Sequence, residues 1–185
     1  MVETASTMLP LGTIAPDFNL LDTCNKTMVS LRDHSTAFAT VILFICNHCP
    51  YVKLIQKKLV EVSQYYQQKN IRFIAINSND VEKYPADSPE KMQETAKEYH
   101  YSFPYLYDNT QEVAKAYHAA CTPDFFVFDK ALQCVYRGRF DEATPGNRKE
   151  VTGKDLCHAL DHILAGKEVN QEQFPSVGCN IKWKK

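Results

Sequence analysis

An uninterrupted apolar, β-branched run, Val41-Ile42-Leu43-Phe44-Ile45, leads directly into the tetrapeptide Cys46-Asn47-His48-Cys49. Such a run is typical of a central strand that is covered on both faces of its sheet. Pro50 suits the first turn of a helix, and apolar residues then recur every three or four positions. The pattern predicts a buried strand, a turn that carries two cysteines, and a long amphipathic helix that ends near Asn70.

The rest of the chain alternates between strand and helix patterns, without internal repeats or Gly/Ser linkers. The predicted elements are a strand over 71–76, a helix from Ser88 to about His100, a short strand over 105–107, a short helix over 111–117, a hairpin of strands 125–128 and 134–138, and a last helix from Thr152 to Gly166. Parallel crossovers followed by a hairpin predict an α/β fold with a mixed central β-sheet and helices on both faces. The segments 18–22 and 28–31 predict an N-terminal β-hairpin extension.

The length of 185 residues, with 44% hydrophobic and 23% charged residues, predicts one packed domain over 1–185. Its core would span about 11–165, followed by an irregular C-terminal tail over 166–185. A net charge of −1 argues against nucleic acid as a partner, and no apolar run is long enough to cross a membrane. The first residues lack the features of a secretory signal, and seven cysteines form an odd count. We therefore expect a cytoplasmic protein with one reactive thiol pair.

The two cysteines of the tetrapeptide are the candidate catalytic residues. A helix N-terminus favours a thiolate, which is the form of cysteine that attacks a disulfide. We expect Cys46 to attack a protein or small-molecule disulfide and Cys49 to resolve the mixed disulfide, after which an external thiol reductant restores the pair. His48 would support the reaction by stabilising the Cys46 thiolate, which would make the pair more oxidising.

A C-x-x-C motif can also be half of a zinc site, but no second C-x-x-C and no H-x-x-x-H is present. We therefore predict no cofactor and no metal. A non-enzymatic, thiol-based metal-binding protein stays open as an alternative, with Cys46, His48, Cys49 and also Cys179 as soft ligands.

Three further features leave two interpretations each. Cys179 could fold back to meet Cys46 or Cys49 as an additional redox thiol, or be inert. Cys121 stands two residues before Pro123 but is most simply a small buried residue. The polar run 77–80 ends a strand on the cysteine edge of the sheet, where open α/β sheets bind ligands, although loop chemistry alone explains it.

With strand, C-x-x-C, long helix, strand and a later Thr122-Pro123, the chain resembles the thioredoxin superfamily. It is most similar to the peroxiredoxin-like branch, also called AhpC/TSA or redoxin. The resemblance covers about Leu11 to Leu164. The segments Phe44 to Lys53, Ile76 to Asp80 and Val177 to Trp183 resemble an uncharacterised bacterial-type subgroup of this branch.

The resemblance implies that Pro123 is a cis-proline facing the cysteines, with backbone groups of Thr122 exposed for a substrate strand. The chain departs from thioredoxins in having Ile45 before the first cysteine and Thr40 where they carry a buried Asp. Peroxiredoxins place their peroxide-reducing cysteine where Cys49 stands, but with a Thr at position 46 and a Pro at position 42. A thiol peroxidase with antioxidant activity is therefore the second enzyme hypothesis.

Overall fold

The computed structural model describes residues 3–33 and 36–185. Met1, Val2, His34 and Ser35 lie outside the described residues. Met1 and Val2 are the first two residues of the N-terminal segment that lacks the features of a secretory signal. The strands are β1 (Glu3–Ala5), β2 (Asn19–Asp22), β3 (Met28–Ser30), β4 (Ala39–Phe44), β5 (Ile71–Asn77), β6 (Tyr105–Tyr107), β7 (Cys121–Thr122), β8 (Asp124–Asp129), β9 (Cys134–Gly138) and β10 (Val177–Asn180). The α-helices are α1 (Pro50–Gln67), α2 (Pro89–Glu98), α3 (Glu112–Ala116) and α4 (Lys154–Leu164). No helix in these residues is both long enough and apolar enough to span a bilayer.

The main sheet has the strand order β3-β2-β6-β5-β4-β8-β9. Strand β5 runs parallel to both β4 and β6, and the other pairs are antiparallel. The predicted α/β fold with a mixed central sheet is confirmed. So is the N-terminal hairpin, formed by β2 and β3.

The continuous apolar sequence of β4 has a simple structural reason. All six of its residues are buried, and successive side chains point to opposite faces of the sheet. Val41 and Leu43 pack into the core under α1, α2 and α4, whereas Ile42 and Phe44 pack into the core on the α3 side. Helices therefore cover both faces, as predicted.

A second, three-stranded sheet, with the order β1-β10-β7, was not predicted. Its central strand, Val177–Asn180, lies within the segment expected to be an irregular tail, so that expectation is wrong for these four residues. Sequence periodicity cannot identify so short a strand, because the partners that stabilise it are distant in the chain. The sheet brings the C-terminal segment alongside β7, which immediately precedes Pro123 and β8.

Candidate active site

The local sequence positions both cysteines at the carboxyl end of β4. Cys46 follows the strand by two residues, and Cys49 is the N-cap residue of α1, with Pro50 in the first turn. Cys46 is 1% exposed and Cys49 is 0% exposed. The predicted strand, turn and helix around the cysteines are thus confirmed, and both sulfur atoms are enclosed.

Thr122 contacts both cysteines from the opposite side. Its Oγ1 lies 3.4 Å from the Cys46 Sγ, and its carbonyl oxygen lies 3.1 Å from the Cys49 Sγ. The Thr122–Pro123 bond is cis, as the resemblance implied. The cysteines, Thr122 and Pro123 are therefore brought together as the sequence indicated.

Strand β10 occupies the edge of Thr122 that was expected to be open to a substrate. Cys179 is the register partner of Thr122. A Cβ atom added to Gly178 would lie only 2.0 Å from the Thr122 carbonyl oxygen. The expectation of an exposed Thr122 backbone is therefore wrong, because the chain supplies its own neighbouring strand there.

This strand also carries Cys179 into the site. Its Sγ lies 2.9 Å from the Cys49 Sγ, and the residue is 2% exposed. Cys179 does meet one of the two cysteines, and that cysteine is Cys49. Its redox role stays a prediction.

The electrostatics separate the two cysteines of the C-x-x-C motif. The pKa of Cys49 is lowered to about 5, mainly because the Cys46 thiol donates a hydrogen bond to it; the Cys179 thiol and the N–H of Val52 also stabilise the thiolate. Burial acts in the opposite sense, and a hydrogen bond from the Thr122 side chain lowers the pKa further. The Thr122 carbonyl can accept a hydrogen bond only from a protonated Cys49. The pKa of Cys46 is raised well above its ordinary value by the same hydrogen bond, then by burial and by the charge of Asp87. These pKa directions favour a thiolate at Cys49 over one at Cys46, whereas the sequence predicted the thiolate at Cys46.

His48 interacts mainly with a carboxylate that sequence analysis missed. Its Nδ1 lies 2.6 Å from Asp87 Oδ2 but 3.9 Å from the Cys46 Sγ. The hydrogen on the His48 Nδ1 therefore points to Asp87, and His48 stabilises a Cys46 thiolate only indirectly. The ring stacks on Tyr84, with ring centroids 5.6 Å apart.

Asp87 is fully buried and holds the turn in place. It accepts hydrogen bonds from the N–H of Asn47 and the amide of Asn79, both at 2.8 Å. Asp87 precedes the Ser-Pro that opens α2, and no local signal marks it as a partner of His48.

Candidate metal-ligating atoms of Cys46, His48 and Asp87 lie within 4.8 Å of one another. Among the described residues, this group is where the metal-binding alternative would apply, and it includes neither Cys49 nor Cys179.

The polar run after β5 anchors the C-terminal segment. Asn79 Oδ1 accepts a hydrogen bond from the N–H of Lys182, and the N–H of Asp80 donates to the Lys182 carbonyl, both at 2.8 Å. These contacts give the run a structural role.

Cys121 is buried, and desolvation strongly raises its pKa, so it is poorly suited to attack a disulfide.

Comparisons with known proteins concern the family and the fold of the chain. Residues 11–137 match a family model described as the AhpC/TSA family. An uncharacterized conserved protein from Geobacillus kaustophilus has a crystal structure with a TM-score of 0.98 and 54% identity, covering 100% of this chain and 97% of that one. A hypothetical protein from Sinorhizobium meliloti 1021 has a TM-score of 0.96 and 46% identity, covering 98% of each chain.

A more distant structure, the thioredoxin domain of a thiol-disulfide oxidoreductase from Bacteroides vulgatus, has a TM-score of 0.61 and 14% identity. The alignment covers 80% of this chain and 96% of that one. At that identity the likeness concerns the fold, and it confirms the thioredoxin-like architecture. Comparison with curated proteins yields no match.

Proposed function

This chain belongs to the AhpC/TSA family, and from that premise we propose that it is a thiol–disulfide oxidoreductase with Cys46 and Cys49 as its redox pair. The observation that carries the proposal is the placement of both cysteines at the start of α1, with Thr122 in contact with the sulfur atom of each. Two cysteines of a C-x-x-C motif that converge on one residue need little rearrangement to form a disulfide. We infer a cytoplasmic setting, where a reducing thiol pool would regenerate the pair.

The resting charges favour Cys49 as the first nucleophile, which reverses the order predicted from the sequence. The Cys49 thiolate attacks one sulfur of a substrate disulfide, the substrate S–S bond breaks, and one substrate thiolate leaves. Cys46 then gives up its proton and attacks Cys49 Sγ in the mixed disulfide. The Cys46–Cys49 disulfide forms, and the second substrate sulfur leaves as a thiol.

Both sulfur atoms are buried, so a substrate reaches them only when part of their cover moves. His48 is partly exposed and its ring stacks on the exposed ring of Tyr84, so this pair is a candidate for the part that moves. We therefore expect slow alkylation of the cysteines in the native protein and fast alkylation after unfolding.

The first test is the reduction potential of the pair. The protein would be equilibrated with defined mixtures of reduced and oxidised glutathione, and the bridged peptides identified by mass spectrometry. The proposal expects a reversible Cys46–Cys49 bridge with a potential on the order of −270 to −180 mV. Absence of this bridge would refute it.

The second test concerns activity and the order of attack. Reduction of insulin disulfides should be lost in Cys49→Ser and in the double variant Cys46→Ser/Cys179→Ser but retained in Cys157→Ser, which changes a half-buried thiol on α4. With a disulfide substrate, the double variant should accumulate a mixed disulfide on Cys49. Accumulation on Cys46 in the Cys49→Ser variant alone would restore the original order.

A thiol peroxidase is the second candidate, and the low pKa of Cys49 favours it. Peroxiredoxins use a cysteine at this position, and a thiolate there would attack the peroxide O–O bond to give a sulfenic acid and water or an alcohol. Cys46 would then condense with the sulfenic acid, releasing water. Consumption of hydrogen peroxide no faster than by free cysteine would exclude this function.

A further inference from the structure

Cys49 has two sulfur neighbours rather than one. Cys46 stands three residues before it in the C-x-x-C motif, and the Cys179 Sγ lies 2.9 Å from its Sγ. The described structure thus brings a third cysteine to the pair, in contact with Cys49. This arrangement is the one required for disulfide exchange within a single chain.

The fold itself maintains the short distance between Cys49 and Cys179. Strand β10 is paired on both sides, with β1 at Glu3–Ala5 and with β7 at Cys121–Thr122. Beyond the strand, the Lys182 N–H donates a hydrogen bond to Asn79 Oδ1 and the Lys182 carbonyl accepts one from the N–H of Asp80. Cys179 is therefore a built part of the site.

We propose that Cys179 is a third redox thiol, which exchanges with the Cys46–Cys49 disulfide to form a Cys49–Cys179 disulfide. This inference rests on the proposed function, because a substrate disulfide supplies the oxidation. The Cys179 sulfur attacks Cys49 Sγ, the Cys46–Cys49 bond breaks, and the electron pair leaves on Cys46 Sγ. The proton released by Cys179 is balanced by the proton that Cys46 takes up, so the exchange involves no net oxidation.

The electrostatics of Cys179 are consistent with exchange after oxidation. In the reduced protein its pKa is raised to about 12, by burial and then by the hydrogen bond and charge of Cys49. Once Cys49 is in a disulfide it carries no charge, and both of its contributions disappear. Lys182 lowers the pKa of Cys179 and remains in place.

The consequence for the site is a change in which sulfur is available. The exchange returns Cys46 to the thiol form, and the disulfide then joins Cys49, at the start of α1, to Cys179 in β10. The Cys49–Cys179 bridge would also join the start of α1 covalently to the strand that covers Thr122. After the exchange, an incoming reductant finds the disulfide at Cys49 and Cys179, and Cys46 is no longer part of it.

The test maps disulfides in the full chain treated with oxidised glutathione. In Cys46→Ser we expect a Cys49–Cys179 bridge, and in Cys179→Ser a Cys46–Cys49 bridge. In the wild type the Cys46–Cys49 bridge should form first and the Cys49–Cys179 bridge later. If the two bridges are about equally stable, the ratio of oxidised to reduced wild type should be about twofold higher than for Cys179→Ser at the same glutathione ratio. Cys157→Ser should behave as the wild type does.

Glutathione retained on Cys49 in the Cys46→Ser variant, without a Cys49–Cys179 bridge, would overturn the relay. If the wild type still formed Cys46–Cys49, the proposed function would stand while the relay failed. Absence of Cys46–Cys49 in both the wild type and Cys179→Ser would instead refute the proposed function. Should Cys179→Ser not fold, the wild-type time course and the Cys46→Ser map still decide the matter.

Discussion

Replacing Cys46 with alanine removes the thiol that donates a hydrogen bond to Cys49. Because this bond is the largest cause of the low Cys49 pKa, the pKa should rise. A hydrogen bond to a charged group is worth about 1.5–3 kcal/mol, and one pKa unit corresponds to about 1.4 kcal/mol. The expected rise is therefore about 1–2 units, from about 5 to about 6–7.

This shift is large enough to follow directly. At pH 6 the Cys49 thiolate would fall from about nine tenths of the population to about half or less. The Cβ resonances of isotope-labelled cysteine, recorded across a pH series, would report the titration without requiring a reagent to enter the buried site. Cys46→Ser keeps an O–H donor at the position and should give a smaller rise, and Cys157→Ala should give none. The reasoning is refuted if Cys46→Ala leaves the pKa unchanged, or if wild-type Cys49 titrates near the ordinary value of about 8.5.

Three further predictions concern stability, measured by guanidinium unfolding. Asp87→Asn should lower the free energy of unfolding by about 2–3 kcal/mol, because the fully buried carboxylate loses its charged hydrogen bonds. Asp17→Asn, at an exposed position, should have almost no effect. Equal losses of stability in the two variants would contradict this prediction. Gly178→Ala should lower the free energy of unfolding by about 3 kcal/mol, because the added Cβ would lie 2.0 Å from the Thr122 carbonyl oxygen of β7. Gly166→Ala should lower it by about 1–2 kcal/mol, because an added Cβ there meets no atom within 4 Å and only the φ of +66° is unfavourable. Burial raises the pKa of Asp124 to about 8, so the wild type loses stability as pH rises from about 4 to 8 while the unfolded carboxyl ionises and the folded one does not. The stability of Asp124→Asn relative to wild type should therefore increase across this range, by at most about 1.4 kcal/mol per pH unit, and a constant difference would show that Asp124 ionises normally.

The elements around the cysteines were predictable because their signals are local. The apolar run of β4, the proline at the start of α1 and the spacing of its apolar face each lie within a few residues. The Ser88 cap of α2 is similar: its side chain accepts a hydrogen bond from the N–H of Lys91, as expected of an N-cap. Local chemistry was sufficient for these elements.

The remainder of the site depends on contacts between residues far apart in the chain. Strand β10 has four residues, including a glycine, and is stabilised by β1 and β7, so neither periodicity nor propensity marks it. Asp87 reaches the turn from 40 residues after Asn47. The motif alone also could not show which cysteine has the lower pKa, because Asp87 raises the pKa of Cys46 and Cys179 lowers the pKa of Cys49.

The distance in sequence between Cys49 and Cys179 has a consequence for biosynthesis. The two residues are separated by 130 positions, and translation at about 5–20 residues per second needs about 7–26 s to cover them. During that interval the nascent chain carries Cys46 and Cys49 without β10, so the edge of Thr122 is uncovered once β7 has emerged. An oxidant that acts at this stage encounters Cys46 and Cys49 beside an unpaired strand edge. The site with three cysteines forms only after β10 has been synthesised and has paired with β7.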